Sequence, residues 1–400
     1  YSKITESIRD IIPDITTGLG YQHLALPIQA LSITYPSEEF DTSVINDTDY
    51  DYRKMVGKVG LQRMMKYKNA TKRQFEYKQS IQEKYGRIFH PDVLPNYSSK
   101  LSLICKNILT SEGIILVYSQ YIDGGCVPFA LALEELGFTR YGNDNLFRVK
   151  PTLQIDALTF KNTDVKHNAT YAMITGDGLL SGSSNNETEI KALINKNNIN
   201  GEKIKVVIIS EAGSEGIDLS YIRQVHIIDP WYNLGRIEQI IGRAVRNCSH
   251  KLLPFEKRNV EIYLHGSQLR KEAETEEAAD MYMYRLAEYK AMKIGKITRI
   301  LKENAVDCII NRNIALFDQE KRLTLSTKGI NINYRIQDKH FSYVCDYSNN
   351  CNYECNFNNS LMHKISYETY DDTYITLNVD IIIHKIKDLF KEGYCYEKKD

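Results

Sequence analysis

The chain has no excess of either charge, no long apolar run and few cysteines for its length. Its 51 Lys and Arg residues balance 51 Asp and Glu residues, so any nucleic-acid contact must be local. No apolar run approaches the roughly 20 residues that span a bilayer, which argues against a membrane partner. Eight cysteines in 400 residues do not suggest a disulfide scaffold, so we expect a reducing, intracellular compartment.

Several catalytic and targeting signatures are also absent. The sequence contains no H-E-x-x-H motif, no Ser-His-Asp signature and no pair of carboxylates with evident catalytic spacing. It also lacks the G-x-x-x-x-G-K-[ST] loop that cradles nucleotide phosphates, and a D-E-x-[HD] motif after an apolar strand. Tyr1 is followed by no signal-like region, and we expect the chain to be a piece of a longer protein.

Short apolar runs alternate with helical patterns through the middle of the chain. This alternation predicts an α/β fold with a parallel sheet and right-handed crossovers. Chemistry in such sheets lies beyond the carboxyl ends of the strands. The predicted strands are 113–119, 171–175, 204–210, 224–228 and 261–264, and the predicted helices are 97–109, 127–137 and 187–195.

Two segments before and within this pattern are harder to interpret. Residues 63–73 form a basic run with interleaved aromatics, which either tracks a phosphate backbone or is a solvated helix face. Residues 141–167 interrupt the alternation and are predicted to be a surface insertion or a short hairpin.

Composition divides the chain into four regions. Residues 270–304 are rich in Glu, Lys, Ala, Met and Leu without proline, which predicts one or two long helices. The chain after residue 312 leans towards β-structure, with a short amphipathic helix at 381–390. The predicted regions are an accessory region 1–97, an α/β lobe 98–268, a helical extension 269–312 and a small, mixed, cysteine-containing region 313–400 that ends in a domain cut short.

Two motifs that follow predicted strands are the most informative part of the sequence. The first is Ser210-Glu-Ala-Gly-Ser-Glu-Gly-Ile-Asp-Leu219, and the second is Glu238-Gln-Ile-Ile-Gly-Arg-Ala-Val-Arg246. Arg243 and Arg246 are three residues apart, so in a helix they share one face. Two adjacent guanidinium groups suit a charge-dense anion such as the phosphates of ATP.

This arrangement resembles motifs V and VI of superfamily 2 helicases and translocases. Asp229-Pro-Trp231 followed by Gln239 is similar to the Snf2-like branch, and the resemblance covers roughly residues 98–268. It implies the second RecA-like lobe of a motor that uses ATP and Mg²⁺, with both ligands held mainly by a first lobe upstream in the same polypeptide. Without that lobe, we expect this chain neither to bind ATP well nor to hydrolyse it.

The resemblance assigns roles to residues in both motifs. Arg243 and Arg246 would be catalytic, reaching the γ-phosphate as arginine fingers do. At the ATP site, Gln239 would couple the nucleotide to motif V, Gly216 would allow a close backbone approach, and Asp218 would hydrogen-bond the ribose hydroxyls or the opposing lobe. The purely structural alternatives are a surface glutamine for Gln239, and a turn or helix-cap residue for Asp218.

Contacts to nucleic acid are implied at three strand ends. Their hydroxyls and backbone N–H groups would hold phosphates without reading base sequence, with DNA favoured over RNA. The alternative at each position is ordinary turn chemistry. The residues are Ser119, Gln120, Gly176, Asp177 and Ser210. Glu211 and Glu215 depart from the DEAD-box pattern, which argues against a DEAD-box RNA helicase, and Trp231 is interpreted as a packing residue.

The flanking segments carry a narrower resemblance. Residues 113–125, 127–137, 242–250 and 253–258 look like helicases of nucleocytoplasmic large DNA viruses, a group similar to the poxvirus early transcription factor small subunit. This implies a DNA-dependent ATPase that works with the transcription machinery, in the virion or the host cytoplasm. Two other functions stay open, namely a non-catalytic helicase-like scaffold subunit and a restriction-type translocase.

Three cysteines cluster near the end of the chain. Cys345, Cys351 and Cys355 follow a C-x5-C-x3-C spacing, and Cys308 or His363 could complete a zinc site. The spacing is looser than that of common zinc sites, and the alternative is a set of free thiols.

Overall fold

The computed structural model describes residues 21–42, 51–68, 73–149, 153–162, 164–180, 186–214, 216–268, 277–312, 319–356 and 372–392. Two compact units are present. The first comprises residues 1–297 and 315–351, and the second comprises residues 298–314 and 352–400.

Helices occur in both units. The helices are α1 (Tyr21–Ser32), α2 (Glu38–Thr42), α3 (Gly57–Met64), α4 (Gln79–Tyr85), α5 (Ser99–Ile108), α6 (Val127–Glu135), α7 (Glu187–Leu193), α8 (Leu234–Ala244), α9 (Ala279–Asn304), α10 (Cys308–Asn311) and α11 (Asp372–Glu392). The strands are β1 (Met65–Lys68), β2 (Gln74–Tyr77), β3 (Ile114–Tyr118), β4 (Thr139–Arg140), β5 (Thr170–Ile174), β6 (Val206–Ile209), β7 (Ile222–Ile227), β8 (Glu261–Leu264), β9 (Gln319–Thr324) and β10 (Asn331–Ile336). Helices α10 and α11 belong to the second unit, and α9 begins in the first unit and ends in the second.

A six-stranded sheet forms the centre of the first unit. Its strand order is β4-β5-β6-β3-β7-β8, and every pairing is parallel. Strands β3, β6 and β7 are buried along their whole length, as expected of parallel strands covered on both faces. The prediction of an α/β lobe with a parallel sheet and flanking helices is confirmed.

Each face of the sheet has its own apolar core. Alternate residues of β3 point to opposite faces, so Ile115 and Val117 join one core while Leu116 joins the other. The first core also contains Leu61 and Phe89, which precede the sheet in the chain. Helix α8 covers the second core with a stripe of buried residues.

The described part of residues 141–167 closes on itself through an antiparallel bridge between Asp156 and Asn168 and packs partly into the first core. Leu146, Phe147 and Ile155 are buried in the first core, and the backbone of Phe147 bridges to that of Phe75. The Asp156 carboxylate accepts hydrogen bonds from four backbone N–H groups, including that of His167. Burial acts to raise the pKa of Asp156, but these bonds outweigh it and lower the pKa. Through the same four bonds, the carboxylate holds together an irregular but packed loop.

The basic run at residues 63–73 is not one helix face. Helix α3 ends at Met64, and the chain continues as β1 of an antiparallel hairpin with β2. Residues 69–72 of the run lie outside the described part of the chain, and Arg73 is held by carboxylates described below.

The predicted elements after the sheet are present. A single helix, α9, accounts for most of residues 270–304, and β9 pairs with β10 as an antiparallel hairpin. Helix α11 contains the predicted 381–390 helix. A bilayer-spanning helix, judged by length and apolar character, is absent from the described residues.

The cysteines near the chain's end form disulfides, so the zinc prediction is wrong. Cys345 is bonded to Cys351 within the first unit, and Cys308 is bonded to Cys355 within the second. A sulfur in a disulfide has no thiolate to offer a metal. The described residues hold no cluster of three metal-ligating side chains, and His363 lies outside them. The expectation of reduced thiols is also wrong for these four cysteines.

Candidate functional site at the carboxyl edge of the sheet

Four polar residues follow four neighbouring strands directly or within one residue. Ser119 follows β3, Thr175 follows β5 and Ser210 follows β6, while Asp229 lies just beyond β7. Because the strands are parallel, these residues lie along one edge of the sheet, where α/β proteins bind ligands. All four are buried, so loops lie over them.

The ends of β3 and β7 are joined through Asp229. Its carboxylate accepts hydrogen bonds from the Ser119 hydroxyl and from the Gln120 backbone N–H at 2.9 Å. Burial raises the pKa of Asp229 to about 6, and these two bonds oppose the rise. The Gln120 side-chain amide donates to the Pro230 carbonyl at 2.8 Å. Both predicted contact residues therefore make internal hydrogen bonds, and of the two only Gln120 is partly exposed.

Asp177 is held by an arginine from the hairpin. Arg73 pairs with Asp177 at 2.6 Å and with Asp123 at 2.7 Å, and its side chain is only 11% exposed. The other Asp177 oxygen accepts the Leu179 backbone N–H at 2.8 Å. Gly176, beside it, is exposed. Arg73 ends the basic run found in the sequence, but no sequence pattern indicated that it pairs with Asp123 and Asp177, because the hairpin and the sheet are far apart in the chain.

The motif V loop is pressed against β5 and then opens to solvent. Ser210 is buried, and its hydroxyl lies 3.5 Å from the Gly213 backbone N–H. A Cβ on Gly213 would lie 1.8 Å from the Ile174 carbonyl oxygen. Gly216 has a φ of +71°, and the Asp218 side chain is 72% exposed. Glu215 lies outside the described residues.

Motif VI begins as a helix but does not end as one. The Asn233 side chain caps α8 by accepting the Arg236 backbone N–H at 3.1 Å. The helix ends at Ala244, and Val245 has non-helical torsions of φ −103° and ψ 65°. Arg246 therefore lies beyond the helix, and the prediction that both arginines share one helix face is wrong.

Both arginines nevertheless converge on the motif V loop. Arg243 donates to the Ile217 carbonyl at 3.4 Å, and Arg246 forms an ion pair with Asp218. The structure thus brings Arg243 and Arg246 to adjacent residues of one exposed loop. Gln239 lies one turn before Arg243 on α8 and is exposed. Two guanidinium groups at an exposed edge can pair with a charge-dense anion.

A second arginine of α8, Arg236, lies outside the motif pattern. Arg236 donates to the Glu211 carbonyl at 3.1 Å and lies 3.5 Å from the Glu211 carboxylate. It precedes Arg243 by seven residues, a spacing that places both on one face of α8 and could have revealed it. Trp231 is partly buried against the second core, with its ring 5.1 Å from that of Tyr232.

Comparison with known proteins relates part of the lobe to a known family. The family model described as "Helicase conserved C-terminal domain" matches residues 148–248, so the chain contains a helicase C-terminal domain. The match includes motifs V and VI together with Gly176, Asp177 and Ser210.

Several curated relatives are viral proteins. Two Acanthamoeba polyphaga mimivirus proteins are named "Putative ATP-dependent RNA helicase". One, L377, is 27% identical over 355 residues, which is 79% of this chain and 30% of the relative. The other, R350, is 40% identical over 231 residues, which is 53% of this chain and 24% of the relative.

A third viral relative has a different name. "Termination factor NPH-I homolog" of African swine fever virus is 33% identical over 182 residues, which is 42% of this chain and 26% of the relative. The matched part is less than a third of the length of each of these three relatives. The chain is thus distantly homologous to helicases of large DNA viruses.

Proposed function

We propose that this chain is the second motor lobe of an ATP-dependent nucleic-acid translocase or helicase. The observation that carries the proposal is the convergence of Arg243 and Arg246 on the exposed motif V loop of a helicase C-terminal domain. A first lobe supplies the ATP and Mg²⁺ site, for which this sequence has no phosphate-binding loop.

Arg243 and Arg246 stabilise the negative charge that develops during phosphoryl transfer. Asp218, the present partner of Arg246, is 72% exposed, and ion pairs at such exposure contribute little to stability. Exchanging this carboxylate for a triphosphate therefore costs little. Gln239, Gly216 and Asp218 couple nucleotide occupancy to the loop that carries Ser210.

The proposed track is nucleic acid along the same edge of the sheet. Within the predicted contact set, Gly176 is exposed and Gln120 and Asp177 are partly exposed. Ser119 and Ser210 are buried and shape the loops that present the others. Contacts of this kind grip phosphates without reading base sequence. DNA is the favoured partner, in viral transcription, in line with the relative named as a termination factor homologue. Because two mimivirus relatives are named as RNA helicases, RNA is the second nucleic acid to be tested.

Steady-state ATP hydrolysis by the complete polypeptide tests the proposal. Hydrolysis is measured alone, with duplex DNA, with single-stranded DNA and with RNA of equal length. Stimulation by one of these establishes a motor and identifies its track. Absence of hydrolysis in all four conditions, with nucleic acid still bound, contradicts the proposal.

A non-catalytic scaffold is the second candidate. It is favoured by the internal pairing of Arg246 with Asp218 and of Asp177 with Arg73, which satisfies these charges without any ligand. A scaffold binds the transcription machinery and shows no ATP hydrolysis with or without nucleic acid.

A further inference from the structure

A short loop closed by a disulfide contacts the motif VI helix. Residues 341–351, here called the disulfide loop, contain the Cys345–Cys351 bond, with the two Cα atoms 4.4 Å apart. Cys345 and Asp346 are buried, whereas Cys351 is partly exposed. The loop and α8 belong to the same compact unit.

The backbone of this loop adopts an unusual conformation. Asp346 and Tyr347 have φ values of +55° and +51°, which side chains with a Cβ rarely adopt. Five backbone hydrogen bonds lie within the loop, and the two shortest run from the Phe341 N–H to the Ser348 carbonyl at 2.7 Å and from the Tyr347 N–H to the Ser342 carbonyl at 2.9 Å. Such a turn persists only where its surroundings enforce it, and the covalent bond between Cys345 and Cys351 is one such constraint.

Helix α9 is shaped to receive the disulfide loop. A Cβ on Gly295 would lie 1.9 Å from the Asp346 carbonyl oxygen and 3.4 Å from the Tyr347 ring. Any side chain at position 295 would therefore displace the loop, so glycine allows the two backbones to approach closely.

Tyr347 extends from this loop to α8. Its hydroxyl donates a hydrogen bond to the Glu238 carboxylate. Glu238 immediately precedes Gln239 and lies between Arg236 and Arg243, although none of the motif roles involves it. The Tyr347 ring also packs edge-on against Tyr343 at 6.3 Å. The hydroxyl of Tyr347 thus connects the disulfide loop to the helix that carries the first catalytic arginine.

We propose that Tyr347 is a positioning residue for motif VI, and that the Cys345–Cys351 disulfide holds it in place, so that reducing this bond slows ATP turnover. The inference rests on the proposed motor function, because it concerns the arginines of the same site. Freed from the covalent bond, the turn at Asp346 and Tyr347 relaxes and the hydrogen bond to Glu238 is lost.

The reductant is a dithiol. One of its thiolates attacks the partly exposed sulfur of Cys351, breaking the Cys345–Cys351 bond and forming a mixed disulfide, with Cys345 leaving as a thiolate. The second dithiol sulfur then displaces Cys351, which gives a cyclic disulfide. Two electrons and two protons pass from the dithiol to the protein, leaving two cysteine thiols.

The test uses the complete polypeptide in a Cys308→Ser/Cys355→Ser background, so that dithiothreitol acts on one described disulfide. The parent, Tyr347→Phe and Tyr343→Phe are compared with and without dithiothreitol. Tyr343→Phe is the matched control, because it removes a hydroxyl from the same loop at a side chain that is 70% exposed. The readouts are kcat, KM for ATP, and hydrogen exchange of the α8 backbone amides.

Dithiothreitol is expected to lower kcat of the parent about three- to tenfold, the range expected for losing one hydrogen bond. KM for ATP stays unchanged, because the first lobe binds the nucleotide. Oxidised Tyr347→Phe shows the same loss and no further response to dithiothreitol, whereas Tyr343→Phe behaves as the parent does. Exchange of the α8 amides accelerates whenever the contact is lost.

Two results overturn the inference. In the first, oxidised Tyr347→Phe matches the oxidised parent in both kcat and α8 exchange. In the second, dithiothreitol slows Tyr347→Phe as much as it slows the parent. If neither the parent nor any variant hydrolyses ATP, the proposed motor function is contradicted, whereas the positioning role of Tyr347 is not. The α8 exchange then decides whether Tyr347 positions the helix, since unchanged exchange rejects it.

Discussion

Gly213 lies where the loop after β6 crosses the end of β5, and a side chain has no room there. Its ideal Cβ position is 1.8 Å from the Ile174 carbonyl oxygen, a backbone atom that cannot move without disturbing the strand. By contrast, Gly178 has no atom within 4 Å of its Cβ position and a φ outside the left-handed region. The two glycines therefore form a matched pair.

We predict that Gly213→Ala lowers the free energy of unfolding by about 1–3 kcal/mol, the usual cost of overpacking. Gly178→Ala should stay within about 0.5 kcal/mol of the parent, as open surface sites do. Urea unfolding followed by circular dichroism measures both. Equal stability of the two variants would show that the motif V loop does not pack against β5 as described.

Residues in one motif were easier to predict than residues brought together by the fold. Arg243 and Arg246 were found from their spacing, and both reach the motif V loop although α8 stops between them. The hydrogen bond between Ser119 and Asp229 joins residues 110 positions apart, and no local pattern reveals such a pair. The same holds for Arg73 with Asp177.

At the scale of elements, the sheet was the most predictable part. Strands β3 and β6 are apolar on both faces, so their sequence runs stand out whatever surrounds them. Strand β7 is also buried but contains Arg223, Gln224 and His226, and only its part from Gln224 onwards was predicted. The two-residue strand β4 has no such run and was not predicted. The end of α8 was misplaced because Ala244-Val-Arg246 contains no glycine or proline to mark the stop.

Strands β7 and β8 share a buried histidine pair. His226 Nδ1 lies 3.0 Å from His265 Nε2, and the His226 ring stacks on Tyr263 with centroids 4.7 Å apart. Burial lowers the pKa of His226 to about 3 and that of His265 to about 4, with Lys100 adding to the effect on His265. Both histidines are neutral in the folded chain at neutral pH.

This pair should make the fold sensitive to acid. The pKa of a histidine in the unfolded chain is about 6.5. As the pH falls below this, both histidines bind protons in the unfolded chain but stay neutral in the folded chain. The histidines therefore cost the fold no stability above about pH 6.5, and the free energy of unfolding declines as the pH falls from there towards about 4. Each histidine should contribute up to about 1.4 kcal/mol per pH unit.

The histidine contribution is isolated by comparison with His226→Gln/His265→Gln. Burial raises the pKa of Glu134 to about 7 and that of Asp229 to about 6. These carboxyls bind protons more readily in the folded chain, so they add stability as the pH falls, whereas the histidines remove it. The carboxyl effect is the same in both proteins and cancels in the comparison. Urea midpoints between pH 7 and pH 4.5 should therefore fall more steeply for the parent. Parallel curves for the two proteins would contradict the assignment.

At the scale of the whole molecule, cysteine pairing was the largest error of the sequence analysis. Spacing suggested a metal site, whereas the chain pairs Cys345 with Cys351 and Cys308 with Cys355. Which cysteines meet depends on how the segment after α9 returns towards it, which is a tertiary property. Connectivity of this kind cannot be deduced from spacing alone.

The Cys308–Cys355 bond should determine the stability of the second unit. It joins residues 47 positions apart, and closing a loop of this length is worth about 4 kcal/mol in the chain-entropy model. Cys308→Ser/Cys355→Ser should therefore lower the opening free energy of α10 by up to about that amount, measured by hydrogen exchange. Cys248→Ser, which removes an exposed free thiol, is the control. Unchanged exchange in the double variant would rule out a stabilising role for the bond.

The account as a whole depends on Arg246, and ATP hydrolysis by the complete polypeptide tests it most directly. Arg246→Ala and Arg246→Lys are compared with the parent, with Arg53→Ala as control because its side chain is 74% exposed and lies outside the motifs. We predict that both Arg246 variants lose hydrolysis by about 10³-fold or more while ATP binding is kept, because lysine lacks the planar fork. Near-normal turnover by Arg246→Ala would contradict the claim that this chain completes an ATPase site.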